Sequence, residues 1–216
     1  MLELMRGAGA ELVELMKATA RRVGCLLLAG VMTEDGQGVL RNQLMMIRPD
    51  GNVSYPYTKN HLVQPERDKG IVPGEKAELF EYGGIRFGAA ICFDFYFPEL
   101  FTHYAKLRPD VIVIASHQRQ EPGENLEFLC RARAFDCGCT LLRCAPAMDN
   151  PSIGGKSMAV APDGRVIADA GGVPGILRCE IDPKARFLRA ASFGEPDRIG
   201  DYREVIQNAC RPELYR

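Results

Sequence analysis

Residues 85–100 read IRFGAAICFDFYFPEL and place a single cysteine between a strand and a helix. The run from Ile85 to Ile91 predicts a strand that stops at Cys92, and Pro98 suits the first turn of a helix. A strand–turn–helix junction can expose a nucleophile beside backbone N–H groups that stabilise an oxyanion. Free cysteine is also commonly buried, so these residues alone leave two possibilities for Cys92, a nucleophile or a buried thiol.

The rest of the chain alternates between helical and strand patterns. Residues 10–23 predict an amphipathic helix whose apolar face carries Leu12, Leu15, Met16, Thr19, Ala20 and Val23. A second helix begins at Pro98, and a third spans 124–136 with Gly138 as its stop. Strands are predicted at 26–32, 43–48, 53–57, 79–82, 85–91, 111–115, 140–145, 156–161, 165–170 and 175–181, before a mixed, charged tail from Pro183. This pattern predicts an α/β fold with mixed strands, in which sheets lie inside and helices outside.

A long loop, residues 58–76, precedes the predicted hairpin at 79–91. It is rich in charge, proline and glycine, and a loop of this length within a compact domain is usually functional. Lys59 and His61 lie at its start. Each has an ordinary alternative explanation, because surface lysines are normally solvated and a lone histidine is more often hydrogen-bonded than catalytic.

The charge balance and the apolar runs of the chain argue against nucleic acid and membranes as partners. The chain has 27 basic and 28 acidic residues and a formal charge of −1, which does not indicate nucleic acid or an anionic membrane as a partner. No apolar run approaches the roughly 18 residues that a membrane helix needs. The first residues lack the pattern of a signal peptide. We therefore expect a cytoplasmic protein with no membrane partner.

The eight cysteines do not predict a disulfide framework, which is typical of short secreted chains. Seven of them are interpreted as small buried hydrophobes in a reducing compartment, notably Cys25, Cys137, Cys139, Cys144 and Cys179. The Cys137-x-Cys139 spacing does not suit zinc, and the three histidines are scattered. We expect no metal and no cofactor, and a structural metal-binding protein is a weak alternative.

Taken together, several segments resemble the nitrilase superfamily of carbon–nitrogen hydrolases. The family's lysine segment is matched by Tyr57–Leu62, its acidic loop residue by Glu66, and its nucleophile strand by Gly88–Asp94. The remaining matches follow in the expected order: Pro73-Gly74, Phe97–Leu100, Arg131–Ala134, Gly155–Ser157, Pro162–Gly164, Ile181-Asp182 and Arg211–Tyr215. The resemblance covers nearly the whole chain, and several motifs in order are more specific than any one of them.

The resemblance implies an α-β-β-α sandwich of mixed sheets and the hydrolysis of a small amide, carbamoyl or nitrile substrate by a Glu-Lys-Cys triad. Cys92 would be the nucleophile that forms a thioester, Lys59 would face the oxyanion, and Glu66 would be a supporting carboxylate. The backbone N–H of Phe93 would assist the oxyanion, and His117 would contribute to the substrate pocket. A homodimer is also implied.

The chain departs from the family pattern at its start. Residues 1–216 are expected to form a single carbon–nitrogen hydrolase domain that lacks the family's first strand, helix and second strand, and with them the glutamate that acts as general base. Glu3, Glu11 and Glu14 lack the expected strand-end context, so none is assigned that role. An alternative function follows, that of a catalytically impaired fragment serving as a binding or assembly subunit.

Overall fold

The computed structural model describes residues 8–192 and 194–214. Its helices are α1 (Ala8–Val23), α2 (Gln64–Arg67), α3 (Pro98–Leu107) and α4 (Gly123–Cys137), with short helical turns at Cys92–Tyr96, Arg203–Gln207 and Pro212–Leu214. The strands are β1 (Leu27–Glu34), β2 (Leu40–Ile47), β3 (Val53–Thr58), β4 (Phe80–Tyr82), β5 (Ile85–Ile91), β6 (Val111–Ala115), β7 (Thr140–Cys144), β8 (Met158–Val160), β9 (Val166–Asp169), β10 (Leu188–Ser192) and β11 (Glu195–Asp201). The described chain forms two compact units, and the prediction of one domain over residues 1–216 stays a prediction.

The first unit contains described residues 8–77 and 89–94. Its sheet has the order β1-β2-β3, with both pairs antiparallel. Met45 and Ile47 alternate onto the face of β2 that packs with Ala20 of α1, and Val13 and Met16 complete this core. This arrangement places the end of β3, and therefore the start of the loop after it, at one edge of the sheet.

The predicted apolar face of α1 is partly wrong. Leu12, Leu15 and Val23 are more than half exposed, whereas Val13, Met16 and Ala20 face the sheet. At 100° per residue the two sets point about a quarter turn apart. The helix carries more apolar residues than one face can bury, so the spacing predicted the helix correctly but only part of its buried side, Met16 and Ala20.

The second unit contains described residues 78–88, 95–192 and 194–214. It contains β4, residues 85–88 of β5, and strands β6 to β9, in the sheet order β4-β5-β6-β7-β8-β9. Strands β6 and β7 are parallel, while β7, β8 and β9 run antiparallel. Residues Val111–Ile114 of β6 are buried, as expected for a strand covered on both faces. Helix α4 ends where Gly138 adopts a left-handed φ of 57°, which confirms the predicted stop.

One prediction about the C-terminal third is wrong. Residues 175–181 form no strand in the described chain, and Ile176 is 85% exposed. A strand needs a neighbour for its N–H and C=O groups, and an apolar run alone does not supply one. The tail instead contains the antiparallel hairpin β10–β11, which charged residues hid from the sequence pattern. Tyr202 joins this segment to α4 through its ring contacts with Phe135 and Phe187.

The cysteine interpretation is also partly wrong. Cys130, Cys137 and Cys139 are buried as expected, but four others are exposed: Cys25, Cys144, Cys179 and Cys210. Apolar neighbours in sequence do not decide on which side of a strand or turn a thiol points. Burial raises the pKa of the Cys130 thiol to about 12, so this cysteine is unreactive in the folded protein.

Candidate active site

Cys92 lies where β5 ends and the helical turn Cys92–Tyr96 begins. Its φ is 50°, which places a non-glycine residue in the left-handed region at a cost of about 1–2 kcal/mol. The side chain is half-buried, whereas the residues that precede it in β5 from Phe87 onward are buried. Such strain persists only where the surroundings enforce it, and it is typical of functional sites. The structure thus has the strand–turn–helix junction that the sequence predicted.

Asp94 accepts hydrogen bonds from several groups around this junction. Its carboxylate is fully buried, and its Oδ1 accepts a hydrogen bond of 2.8 Å from the backbone N–H of His61. The Nδ1 atom of His61 lies 2.8 Å from the same oxygen. Oδ2 accepts hydrogen bonds from the Tyr57 hydroxyl at 2.8 Å and the Ile91 N–H at 2.9 Å. Four contacts from two chain segments therefore converge on one carboxylate within the first unit.

Lys59 begins the long loop and is 1% exposed. Its backbone N–H donates to the Asn42 carbonyl at 2.8 Å, which continues the β2–β3 pairing by one residue. Its Nζ donates to Glu66 Oε2 at 2.5 Å. Lys59 is therefore neither solvated nor mobile, and the ordinary explanation for a surface lysine does not apply here.

Glu66 receives three hydrogen bonds. Besides Lys59, its partners are the Asn42 amide, which donates to Oε1 at 2.9 Å, and the Val63 N–H, which donates to Oε2 at 2.9 Å. Burial works to raise the pKa of Glu66, but the hydrogen bonds from Lys59, Asn42 and Val63 outweigh it, and the pKa lies below its ordinary value. Glu66 is therefore ionised at neutral pH and keeps a negative charge against Lys59.

The loop 58–76 is ordered around this ion pair. The Gly74 N–H donates to the Lys59 carbonyl at 2.8 Å, and the Ile71 N–H donates to the Glu66 carbonyl at 3.1 Å. A Cβ atom on Gly74 would lie 2.4 Å from the Thr58 carbonyl oxygen, so only glycine permits this approach. The loop also contains helix α2, which the sequence pattern did not predict.

The predicted site residues divide between the two units. Lys59, Glu66, Cys92 and Phe93 belong to the first unit, and the structure brings Lys59 and Glu66 into direct contact. His117 belongs to the second unit, where it follows β6. Loss of solvent around its ring and the positive charge of Arg119 lower the pKa of His117, so its imidazole is neutral at pH 7.

Sequence reasoning missed the role of Asp94, although the residue lies inside the matched nucleophile segment. The available signal was an acidic residue two positions after the cysteine in an otherwise apolar stretch, since buried carboxylates occur where they are hydrogen-bonded. Within residues 8–192 and 194–214 no three His, Cys, Asp or Glu side chains are grouped as metal ligands. In the same part of the chain no helix is both long enough and apolar enough to cross a bilayer.

Comparison with known proteins identifies the family of the chain. The family model for carbon-nitrogen hydrolases matches residues 3–190. The omega-amidase of Xenopus laevis is 29% identical over 184 residues, which cover 80% of this chain and 67% of that protein. The 2-oxoglutaramate amidase of Bacillus subtilis is 28% identical over 170 residues, covering 77% and 66%. The chain thus spans about two thirds of the length of these curated relatives.

Solved structures show the fold. A mutant of the amidase from Nesterenkonia sp. AN1 in complex with butyramide superposes with a TM-score of 0.72 at 21% identity, covering 94% of this chain and 71% of that chain. Another mutant of that amidase carries the acetamide moiety of fluoroacetamide on its active-site cysteine. These likenesses, together with the mixed sheets described above, confirm the predicted fold class, a nitrilase-like mixed α/β fold.

Proposed function

The chain belongs to the carbon–nitrogen hydrolase family, and we propose that it hydrolyses non-peptide carbon–nitrogen bonds of small amides through a thioester on Cys92. One observation carries the proposal: in the compact unit that contains the strained Cys92, a buried lysine is held by an ionised carboxylate. A buried cation that is fixed in place can stabilise an anion that develops nearby without reorganising during the reaction.

The chemistry follows from these groups. The Cys92 thiolate attacks the amide carbonyl carbon, and the carbonyl oxygen becomes the oxyanion. Lys59 supplies positive charge to this oxyanion, and the Phe93 backbone N–H is the proposed second donor. The tetrahedral intermediate collapses as the C–N bond breaks, and the amine leaves with a proton. Water then attacks the thioester, which releases the carboxylic acid and restores the thiol.

Glu66 is proposed as the residue that orients Lys59. A general base works best when its pKa lies near the operating pH, whereas the pKa of Glu66 is lowered and its oxygens already accept three hydrogen bonds. We therefore assign the proton transfers to a different carboxylate. The family resemblance implies a glutamate for this role.

The substrate proposed is a small amide, because the curated relatives are named as amidases and the solved relative was crystallised with butyramide. Carbamoyl and nitrile substrates are the remaining members of the predicted class. We propose that His117 contributes to substrate binding as a neutral imidazole, in line with its lowered pKa. A cytoplasmic homodimer that needs no cofactor completes the proposal. The alternative of a catalytically impaired binding subunit is not favoured, because the named relatives are enzymes.

Fluoroacetamide tests the proposal directly. The purified chain is treated with this reagent at neutral pH, and the rate at which each cysteine gains an acetamide group is followed by peptide mass spectrometry. Cys25, Cys144, Cys179 and Cys210 are exposed and serve as internal references. We expect Cys92 to react at least about tenfold faster than these four and to lose this advantage in Lys59→Met, because the proposed role of the lysine is to stabilise negative charge that develops at the reacting centre.

Release of ammonia from a panel of short aliphatic amides is measured in parallel. Hydrolysis that disappears in Cys92→Ala supports the proposed reaction. Labelling of Cys92 no faster than that of the four exposed cysteines would reject it.

A further inference from the structure

We infer that Asp94 is a positioning residue that fixes the Cys92 turn relative to the backbone of Lys59; this inference rests on the proposed function. The pattern of its contacts carries the inference. Tyr57 and His61 lie two residues before and two residues after Lys59, and both bind Asp94. Ile91 immediately precedes Cys92 and also binds Asp94. One carboxylate thus connects both sides of the lysine to the residue before the cysteine.

The burial of Asp94 makes this connection rigid. Its side chain is 0% exposed, so water does not compete for its oxygens. Two of its donors are backbone N–H groups, from His61 and Ile91, whose positions are set by the chain and not by a rotamer. Cys92 itself adopts a left-handed φ of 50°, a conformation that other contacts must maintain. Asp94 is two residues further along the same turn and supplies such contacts.

A carboxylate is chemically required at this position. Both of its oxygens accept, whereas the amide of asparagine has one accepting oxygen and one donating nitrogen. The Tyr57 hydroxyl can rotate and the His61 ring can change tautomer to meet a donating nitrogen. The backbone N–H groups of Ile91 and His61 cannot change. Asp94→Asn, although equal in size, therefore leaves one of these two N–H groups facing a donor in either amide orientation.

Two variants, Asp94→Asn and Tyr57→Phe, weaken the contacts of Asp94 to different degrees. Asp94→Asn should slow the fluoroacetamide labelling of Cys92 by about 10²-fold, the scale expected when a reacting group shifts by about 1 Å. Tyr57→Phe removes a single hydrogen bond and should slow labelling by about three- to tenfold. Tyr55→Phe is the matched control, since Tyr55 lies on the same strand β3 and is 45% exposed, and it should label at the wild-type rate.

A double-mutant cycle distinguishes positioning from a merely structural role. Labelling rates of wild type, Asp94→Asn, Lys59→Met and the double variant are measured from about pH 6 to pH 9, a range that brackets ordinary thiol ionisation. If Asp94 acts by placing Cys92 relative to Lys59, then Lys59→Met slows the Asp94→Asn background by less than twofold although it slows wild type by tenfold or more. The pH profile of Asp94→Asn should then match that of Lys59→Met.

A purely structural Asp94 would behave differently. The melting temperature of Asp94→Asn would fall, but its folded fraction would keep the wild-type pH profile and the full effect of Lys59→Met, and this result would overturn the inference. If Asp94→Asn does not fold, wild-type labelling in Tyr57→Phe would overturn it instead. If wild-type Cys92 labels no faster than the exposed cysteines, both the proposed function and this inference fail. If wild type and Asp94→Asn both label fast, only the inference is overturned.

Discussion

Gly74→Ala should damage the site although residue 74 is outside the proposed catalytic set. The added Cβ atom would lie 2.4 Å from the Thr58 carbonyl oxygen and 2.5 Å from Asn60 Oδ1. Ordinary van der Waals contact begins at 3.4 Å, so relief requires a displacement of about 1 Å. The Asn60 side chain can rotate away, but the Thr58 carbonyl belongs to the backbone immediately before Lys59. The displacement is therefore transmitted to the lysine.

Two magnitudes follow from this overlap. Overpacking of this kind typically lowers the free energy of unfolding by about 1–3 kcal/mol. Loss of the 2.8 Å bond from the Gly74 N–H to the Lys59 carbonyl would add about 1 kcal/mol. Misplacing Lys59 by about 1 Å should slow the labelling of Cys92 by up to about 10²-fold. Urea titration measures the loss of unfolding free energy, and the rate of fluoroacetamide labelling measures the misplacement of Lys59.

Gly36→Ala is the matched control. A Cβ atom at Gly36 would have no heavy atom within 4 Å, and its φ lies outside the left-handed region, so stability and labelling should stay close to the wild-type values. If Gly74→Ala unfolds at the same urea concentration and labels at the same rate as Gly36→Ala, the loop does not hold Lys59 in the way described. A loss of stability without any change in labelling would equally contradict the proposed coupling to the site.

Three further predictions concern other residues. Cys92→Ala should abolish amide hydrolysis because it removes the attacking atom, and Cys92→Ser should leave at most a trace because a hydroxyl is a far weaker acid than a thiol. Ammonia release at the wild-type rate from the alanine variant would show that Cys92 is not the nucleophile. Because the folded pKa of Glu66 lies below its ordinary 4.5, the ionised carboxylate contributes stability above that pH, and this contribution is lost as the pH falls through the folded pKa. Glu66→Gln should therefore unfold more easily than wild type at neutral pH, with a difference that shrinks on acidification in urea titrations; a constant difference would contradict the assignment. Tyr202→Ala removes a buried ring that is stacked on Phe187 and tilted against Phe135, and it should cost about 3 kcal/mol in the same titration. A cost below about 1 kcal/mol would show that this aromatic cluster is not a stabilising one.

The junction around Cys92 could be predicted from sequence because local signals coincide there. The strand Ile85–Ile91 and the helix start at Pro98 agree with the structure to the residue. A continuous apolar run, a single cysteine and a proline at the first helical position each restrict the backbone independently. Strand β6 was predicted equally well, since Val111–Ala115 is a β-branched run that ends in alanine. Agreement between local and global preferences explains both successes.

The sequence predictions failed where the structure of a segment depends on residues far from it along the chain. Residues 175–181 have the composition of a strand but form none in the described chain, whereas β11 is a strand despite five exposed residues in succession. Pairing depends on the neighbour and not on the segment alone. The supporting role of Glu66 was expected only from the family resemblance, and its contact with Lys59 was not predicted. The four contacts of Asp94 could not be predicted, because three of them come from residues 33 to 37 positions away.

The four exposed thiols described above have a practical consequence for the handling of this protein. Cys25, Cys144, Cys179 and Cys210 are open to air oxidation, which joins molecules through intermolecular disulfides and yields covalent aggregates of increasing mass. A light-scattering measurement of the predicted homodimer therefore requires a reductant. Small-thiol reductants are unsuitable during turnover, since a free thiol competes with water for an enzyme-bound thioester. A phosphine reductant removes both problems and leaves genuine subunit association as the only source of higher mass.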